Sequence, residues 1–156
     1  MEFLNDDTKW MSEALRKARL AAKEGEVPVG AVVVADGKIL AACHNLCETV
    51  KDATAHAERL AISDACRALG SWRLENATLY VTLEPCPMCM GAIINARIPR
   101  VVFGAFDARA GACGSLINLS SYPLESRPEC TGGLMEEDCR RLLTDFFAMK
   151  RKKTGK

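Results

Sequence analysis

The sequence predicts a layered α/β domain, and three observations carry this prediction. Helix-like and strand-like segments alternate along the chain, which is typical of layered α/β domains. The pair Asp36-Gly37 separates two apolar runs, the strongest short signal for a β-hairpin. The later strands are separated by helical segments, which favours parallel pairing through helical crossovers. Because no internal repeat or linker is visible, we expect a single domain over residues 1–156.

Four segments carry helical signals. In the first, residues 8–23, apolar side chains such as Met11, Leu15 and Ala18 recur at three- and four-residue spacing and form one face. Gly25 and Pro28 end this helix. The other helices are expected at residues 54–69 (closed by Gly70), from Pro85 and Pro87 to about residue 97, and at residues 135–150.

Four apolar, partly β-branched runs indicate strands. They span residues 29–34, 38–42, 78–83 and 100–103. Residues 105–133 are rich in Gly, Ser and Pro and give no clear helix or strand signal. The overall composition, 49% apolar and 26% charged residues, is that of a globular protein and not of a disordered one.

The chain has eight cysteines, whose meaning depends on the cellular compartment. Residues 1–7 are acidic and lack the apolar core of a secretion signal, and no run of 18 or more apolar residues is present. We therefore expect a cytoplasmic protein that does not cross a membrane. In that compartment cysteines are reduced thiols or metal ligands.

Charge is balanced overall but uneven along the chain. The formal net charge is +1, so the general basic field of many nucleic-acid-binding proteins is missing. Residues 150–156 nevertheless form a basic tail that begins with Lys150 and Arg151. A solvated helix end, where cations are favoured, also explains this run.

Two short motifs contain residue types that bind metals. The first is His56-Ala57-Glu58, near the start of the second predicted helix, and the second is Pro85-Cys86-Pro87-Met88-Cys89, where a strand gives way to a helix. A Cys-x-x-Cys at a helix start can direct both sulfurs to one centre, and the positive helix end favours thiolates. Two thiolates and one imidazole suit the charge and the tetrahedral preference of zinc.

The predicted ligand set stops at three residues, His56, Cys86 and Cys89. Structural zinc sites usually take four protein ligands, whereas catalytic sites keep one position open. The only other histidine, His44, lies at the far end of the hairpin, and a three-ligand site leaves a use for Glu58. We expect Glu58 to take a proton from the attacking water and to return it to the leaving nitrogen.

Each motif alone has a plainer interpretation. A lone Cys-x-x-Cys can be a redox pair, and a lone His-x-Glu is usually a feature of a helix surface. Together they match His-x-Glu…Pro-Cys-x-x-Cys, the signature of zinc deaminases that act on cytosine or adenine. The combination therefore favours a nucleobase deaminase.

Beyond these motifs the chain resembles the bacterial tRNA-specific adenosine deaminase family over nearly its whole length. The resemblance is carried by residues 27–32, 44–45, 55–58, 79–89, 91–93, 101–105 and 145–147. The stretch Leu-Glu-Pro-Cys-Pro-Met-Cys is shared with guanine deaminases, whereas Asp107, Gly111, Gly114, Ser115 and residues 145–147 are closer to the tRNA enzymes. The resemblance implies a three-layer α/β/α cytidine-deaminase-like fold with a central mixed sheet of about five strands.

The resemblance also implies a reaction and partners. Zinc-dependent hydrolysis would convert adenosine to inosine at the wobble position, 34, of a tRNA anticodon, where the target base is already unpaired. One Zn²⁺ per subunit, a homodimer and no nucleotide cofactor are implied. Lys150 and Arg151 match basic positions of the family's last helix that meet the RNA backbone.

By resemblance, further residues bind the substrate. Asn45 would bind the target nucleoside, Val29 would line the base pocket, and Asp107 would contact the flanking nucleotide. The backbone N–H groups of Ala57 and Cys86 are suited to an oxygen at the reacting centre, as helix N-termini are suited to anions. Without the resemblance, Asn45 is also explained as a turn residue and Asp107 as a helix N-cap.

One segment departs from the family. Residues 125–133 are shorter, lack the family's Asn-His pair and contain Pro128, which cannot donate a hydrogen bond to a sheet. This puts the last edge strand in doubt, and with it any RNA contact made there. Cys113, Cys130 and Cys139 have no ligand spacing and are expected to be ordinary small residues.

Two other functions are compatible with the sequence. A deaminase of free guanine or of a cytidine compound would use the same metal motifs. A catalytically silent RNA-binding subunit would keep zinc for structure alone, although such a subunit would have no use for Glu58 beside the metal.

Overall fold

A five-stranded mixed sheet forms the centre of the protein in the computed structural model, which describes residues 3–154. The helices are α1 (Asp7–Lys23), α2 (Cys47–Val50), α3 (Ala57–Leu69), α4 (Pro87–Asn95) and α5 (Glu136–Thr154). The strands are β1 (Gly30–Ala35), β2 (Lys38–His44), β3 (Ala77–Leu83), β4 (Arg100–Ala105) and β5 (Glu129–Gly132). The ends of the predicted domain and of the basic tail, residues 1–2 and 155–156, lie outside the described range.

The strands follow the order β2-β1-β3-β4-β5 across the sheet. Strand β1 runs antiparallel to both β2 and β3, whereas β3–β4 and β4–β5 are parallel pairs. Helix α4 connects β3 to β4, which confirms the predicted parallel pairing through a helical crossover. The hairpin between β1 and β2 is also confirmed, because Asp36 and Gly37 both have positive φ, 52° and 71°, as a two-residue hairpin turn requires.

Two hydrophobic cores lie on opposite faces of the sheet. In β1, Ala31 and Val33 face the core that α3 and α4 cover, whereas Val32 and Val34 face the core that α1 and α5 cover. This alternation follows from the two-residue period of a strand. The three-layer α/β/α fold with a five-stranded mixed sheet is therefore confirmed. None of the helices in the described part of the chain has the length and apolar character that a membrane span requires.

Helix α3 begins later than predicted, at Ala57 and not near residue 54. The carboxylate of Asp52 accepts hydrogen bonds from the backbone N–H and the hydroxyl of Thr54, at 2.8 and 2.7 Å, which holds these residues in a turn. Helix α4 ends at Asn95, two residues earlier than predicted, and Arg97 then adopts a positive φ of 63°. The short helix α2 had no sequence signal.

Strand β5 is present, although Pro128 put it in doubt. The proline precedes the first residue of the strand, so its missing N–H is not needed for pairing. The N–H of Glu129 donates to the carbonyl of Pro99 at 2.9 Å, and residues 129–132 pair in parallel with β4 at the edge of the sheet. The expectation of a disturbed edge was therefore wrong.

Candidate active site

The three predicted metal ligands come together at the starts of two helices. His56 is the N-cap of α3 and Cys86 is the N-cap of α4, and both have extended backbone conformations. Cys89 lies one helical turn after Cys86, which returns its sulfur to the same side of α4. Pro87 fits the first position of α4 because that position needs no N–H donor.

The spacing of the three donor atoms fits zinc. Nδ1 of His56 lies 3.5 Å from the sulfur of Cys86 and 3.5 Å from the sulfur of Cys89. All three donor atoms lie within 4.8 Å of one another. A tetrahedral zinc with ordinary Zn–N and Zn–S bond lengths separates a nitrogen and a sulfur ligand by about 3.6 Å. The side chains therefore match the metal in type and in distance.

His44 is engaged outside this cluster. Its Nδ1 lies 2.9 Å from the carbonyl oxygen of Asn45, and its Nε2 lies 3.1 Å from the carboxylate of Glu24. These contacts agree with the prediction that His44 is not a metal ligand. All eight cysteines are free, and the ligand cluster found among the described residues does not include Cys113, Cys130 or Cys139.

The surroundings of Cys86 favour a thiolate. Hydrogen bonds to its sulfur, first from the thiol of Cys89 and then from His56, lower the pKa of Cys86 to about 4. The same interaction raises the pKa of Cys89, which acts as the donor. The N-terminus of α4 adds a positive potential at both sulfurs. A thiolate is the form of cysteine that binds a metal.

Glu58 lies beside the cluster and is almost fully buried, with 4% of its surface exposed. Burial raises the pKa of Glu58 to about 7, since a charged carboxylate is poorly solvated there. A carboxyl group that titrates near neutral pH can both accept and return a proton. The proton-transfer role predicted for Glu58 requires such a group.

A cavity of about 280 Å³ opens over the cluster. This size is close to the lower end of the range for small-molecule pockets and suits a single base. The cavity lining contains every predicted metal, catalytic or substrate residue except Cys89 and Arg151, namely Val29, Asn45, His56, Ala57, Glu58, Cys86, Asp107 and Lys150. Arg151 lies in a separate groove with Arg109 and Arg140.

Asn45 has the local role that was considered as its alternative, whereas Asp107 has a different one. Oδ1 of Asn45 accepts a hydrogen bond from the N–H of Cys47 at 3.3 Å, as a turn residue does. Oδ1 of Asp107 accepts from the N–H groups of Arg109 and Ala110, at 3.0 and 3.2 Å. Asp107 therefore caps a turn, not a helix. Both residues shape their loops and line the cavity.

Two buried glutamates in the cavity wall were missed by the sequence analysis. Glu26 is fully buried and accepts hydrogen bonds from the N–H groups of Glu48 and Thr49 and from the Thr49 hydroxyl. Burial opposes its ionisation, but these hydrogen bonds outweigh burial and lower the pKa of Glu26. Glu84, 2% exposed, is the second. The one sequence signal that could have indicated their burial is that each glutamate stands close to apolar residues and a proline.

Comparisons with known proteins agree with this site. A family model described as MafB19-like deaminase matches residues 5–143. The tRNA-specific adenosine deaminase of Bacillus subtilis (strain 168) is 50% identical over 151 residues, which cover 96% of this chain and 94% of that protein. The chloroplastic tRNA(adenine(34)) deaminase of Arabidopsis thaliana is 44% identical over an alignment of 161 residues. This alignment covers 92% of this chain and 12% of that protein.

Solved structures give the same picture. A structure from a study of A-to-I editing by tRNA:A34 deaminases at the wobble position of transfer RNA matches with a TM-score of 0.85 and 45% identity, and the match covers 87% of this chain and 99% of that chain. The guanine deaminase from Nitrosomonas europaea matches with a TM-score of 0.81 and 26% identity, over 94% of this chain and 87% of that chain. The chain therefore belongs to the tRNA-specific adenosine deaminase family.

Proposed function

We propose that this protein converts adenosine to inosine by hydrolysis at the wobble position, 34, of a tRNA anticodon, with one Zn²⁺ per subunit. The observation that carries this proposal is the group His56, Cys86 and Cys89, whose donor atoms lie within 4.8 Å of one another beside the buried Glu58. The names of the Bacillus subtilis and Arabidopsis thaliana relatives support the choice of adenosine in tRNA as the substrate.

In this reaction Glu58 moves the protons. His56, Cys86 and Cys89 would hold the zinc, which supplies a nucleophile at neutral pH by lowering the pKa of water to about 7. Glu58 accepts a proton as the nucleophile attacks C6 of the base and donates it to the departing amino nitrogen, which leaves as ammonia. Its pKa of about 7 suits both transfers, because neither protonation state is strongly disfavoured at neutral pH.

The cavity walls bind and orient the base. Val29, 8% exposed, offers an apolar surface to the ring, and the amide of Asn45 can donate to and accept from the nucleoside. The N–H groups of Ala57 and Cys86, at the starts of α3 and α4, are suited to stabilise negative charge at the reacting carbon's oxygen. Asp107 faces the cavity from its loop and would contact the nucleotide beside the adenosine.

Basic residues of α5 would hold the RNA backbone. Lys150 lines the cavity, and Arg151 shares a separate groove with Arg109 and Arg140, so α5 presents a basic side chain to each of them. Local basic groups of this kind bind phosphates even when the net charge is only +1. Although residues 155–156 lie outside the described range, the helix already presents Lys152 and Lys153.

We also propose a cytoplasmic, single-domain protein that forms a homodimer. Apolar side chains on and near α4 are exposed, namely Met88, Tyr122 and Leu124, which is typical of a surface that a partner covers. Sedimentation velocity is the test: the dimer predicts twice the chain mass of 17.0 kDa, and a species of 17.0 kDa at micromolar concentration would contradict it.

The proposed reaction is tested with substrates of different classes. Zinc-loaded protein should form inosine in an anticodon stem-loop that carries adenosine at position 34 and should release no ammonia from free guanine or cytidine. Ammonia release from either small molecule in the absence of RNA would favour the second candidate, a deaminase of free guanine or of a cytidine compound. The structural match to the Nitrosomonas europaea guanine deaminase supports that candidate. Binding of the stem-loop without turnover would favour the silent RNA-binding subunit.

A further inference from the structure

Glu84 lies in the wall of the cavity, close in sequence to the metal cluster. It follows β3 directly and precedes Cys86 by two residues, and its N–H donates to the carbonyl of Ala105 at 2.9 Å. Only 2% of its surface is exposed. A buried carboxylate is costly unless hydrogen bonds compensate for the lost water. The partners of Glu84 therefore indicate what the residue does.

All side-chain partners of Glu84 within the described residues lie in one loop, residues 107–115. One carboxylate oxygen accepts hydrogen bonds from the N–H of Asp107 at 3.0 Å and from the hydroxyl of Ser115 at 2.5 Å. The other accepts from the N–H groups of Cys113 and Ser115, at 3.0 and 3.1 Å. A single side chain thus holds both ends of the 107–115 loop.

Gly111 shows how tightly the loop surrounds this carboxylate. A Cβ atom at this position would lie 2.3 Å from Cδ of Glu84 and 2.5 Å from the carbonyl oxygen of Asp107. These distances are shorter than any packing contact, so the loop has room only for glycine here. A further bond ties the loop to the metal motif, because the N–H of Ala112 donates to the carbonyl of Pro85 at 2.8 Å.

The loop carries residues of the substrate cavity. Asp107 and Ala110 line the cavity from this side, and Cys86 lines it from the metal side. We propose that Glu84 is a positioning residue that fixes the 107–115 loop relative to the metal cluster and thereby sets the recognition of the nucleotide next to the target adenosine. The part on nucleotide recognition rests on the proposed function, whereas the part on loop position does not.

The substitution Glu84→Gln separates charge from size. Gln keeps the shape of the side chain, but its NH₂ group would face backbone N–H donors of the loop and cannot accept from them. Ser115→Ala is a milder variant, since it removes one donor and leaves the carboxylate in place. Glu75→Gln is the matched control, because Glu75 is exposed and lies outside the cavity.

The loop position is measured by hydrogen exchange without any substrate. Loss of hydrogen bonds to a charged group predicts that exchange in residues 107–115 becomes about 10- to 100-fold faster in Glu84→Gln. Exchange in α3 and the zinc content should stay as in the wild type, and Ser115→Ala should show a smaller change in the same loop. Unchanged exchange in the loop, or an equal acceleration in α3, would overturn the proposal; if Glu84→Gln does not fold, Ser115→Ala decides.

Recognition is measured with two anticodon stem-loops that differ only in the nucleotide beside the adenosine. Glu84→Gln should raise KM and bring the two kcat/KM values closer together, whereas Glu75→Gln should keep the wild-type ratio. A lower kcat with an unchanged ratio would contradict the recognition role. If the wild type makes no inosine from either RNA, the proposed function fails, and the exchange experiment still decides the role of Glu84 in the loop.

Discussion

Nδ1 of His56 lies 3.5 Å from the sulfur of Cys86, although the two residues are 30 positions apart and begin different helices. Each residue is the N-cap of its helix, so two positive helix ends meet at one centre. Such a centre stabilises thiolate ligands and negative charge that develops on a substrate.

Removal of the metal should abolish activity and destabilise the protein. A ligand present at 1,000 times its dissociation constant stabilises a protein by about 4 kcal/mol, so chelation should lower the melting temperature measured by calorimetry. Added Zn²⁺ should restore both activity and stability, whereas Mg²⁺ should restore neither, because thiolate ligands are a poor match for Mg²⁺. Full activity of a demonstrably metal-free sample would contradict this account.

Loss of either cysteine ligand should remove the metal. We expect Cys86→Ala and Cys89→Ala to bind less than one tenth of the wild-type zinc. Even the loss of a group that only orients a ligand lowers metal affinity by about 10-fold or more, and the loss of a ligand itself should cost at least as much. Cys66→Ala is the matched control, since Cys66 is a free thiol of α3 outside the cluster. Metal analysis of the purified proteins checks this, and equal zinc in all three variants would exclude these ligands.

Replacement of Glu58 should separate metal binding from catalysis. Glu58→Gln keeps the size of the side chain but cannot carry the proton, so kcat should fall by at least about 100-fold. The zinc content and the affinity for the anticodon stem-loop should stay near the wild-type values. Single-turnover inosine formation measures the effect, and a loss of less than threefold would mean that another group transfers the proton.

The grouping of His56, Cys86 and Cys89 was predictable because its signals are local. His-x-Glu and Cys-x-x-Cys are short motifs, and a helix start after each explains how the ligands converge. The hairpin at Asp36-Gly37 and the parallel pairing of β3 and β4 were predictable for the same reason. The alternation of side chains along a strand and their recurrence along a helix are set by only a few neighbouring residues, so both can be seen in the sequence.

Other features depend on contacts between distant parts of the chain. Asp7 pairs with Arg100, 93 positions away, and accepts from the hydroxyl of Tyr80, 73 positions away. No pattern within α1 or β4 indicates this. Glu84 similarly stands in the sequence as a single acidic residue directly before the Pro-Cys-x-x-Cys motif. Its partners in the 107–115 loop come close to it only in the folded chain. Strand β5 was misjudged because Pro128 lies just before the strand, where the pairing with β4 does not need its missing N–H.

Removing one partner of the buried pair of Asp7 and Arg100 should destabilise the protein strongly. Nη2 of Arg100 lies 2.7 Å from the carboxylate of Asp7, which is 1% exposed. Asp7→Ala leaves the guanidinium without its partner, so the free energy of unfolding should fall by about 3–5 kcal/mol in urea titrations. The exposed pair of Glu13 and Arg16 is the control, and Glu13→Ala should cost less than about 1 kcal/mol.

The same pair predicts a pH dependence. Burial opposes ionisation of Asp7, but hydrogen bonds from Arg100, Tyr80 and the N–H of Leu4 outweigh it and hold the pKa of Asp7 below its ordinary value of 3.8. The stabilisation is therefore fully present above pH 3.8 and is lost as the pH falls through the lower pKa of the folded state. Melting temperatures should fall less steeply with acid in Asp7→Asn than in the wild type, and parallel curves would contradict this.

Lys150 should act on RNA binding and not on the chemical step. Lys150→Ala should raise KM for the anticodon stem-loop and leave kcat near the wild-type value, because the side chain would contact a phosphate. The slope of log KM against log salt should fall by about one unit if one phosphate contact is lost. Lys38→Ala, on the β-hairpin, is the control, and an equal effect of both variants would mean that only general charge matters.

Deamination at the wobble position is measured by sequencing tRNA after treatment with the protein. A mixture of unmodified tRNA transcripts is incubated with zinc-loaded wild type or with Glu58→Gln, and inosine is read as an A-to-G change. Inosine is expected at position 34 of anticodons that begin with adenosine, at no other adenosine, and only with the wild type. No inosine at position 34, or equal conversion by Glu58→Gln, would contradict it.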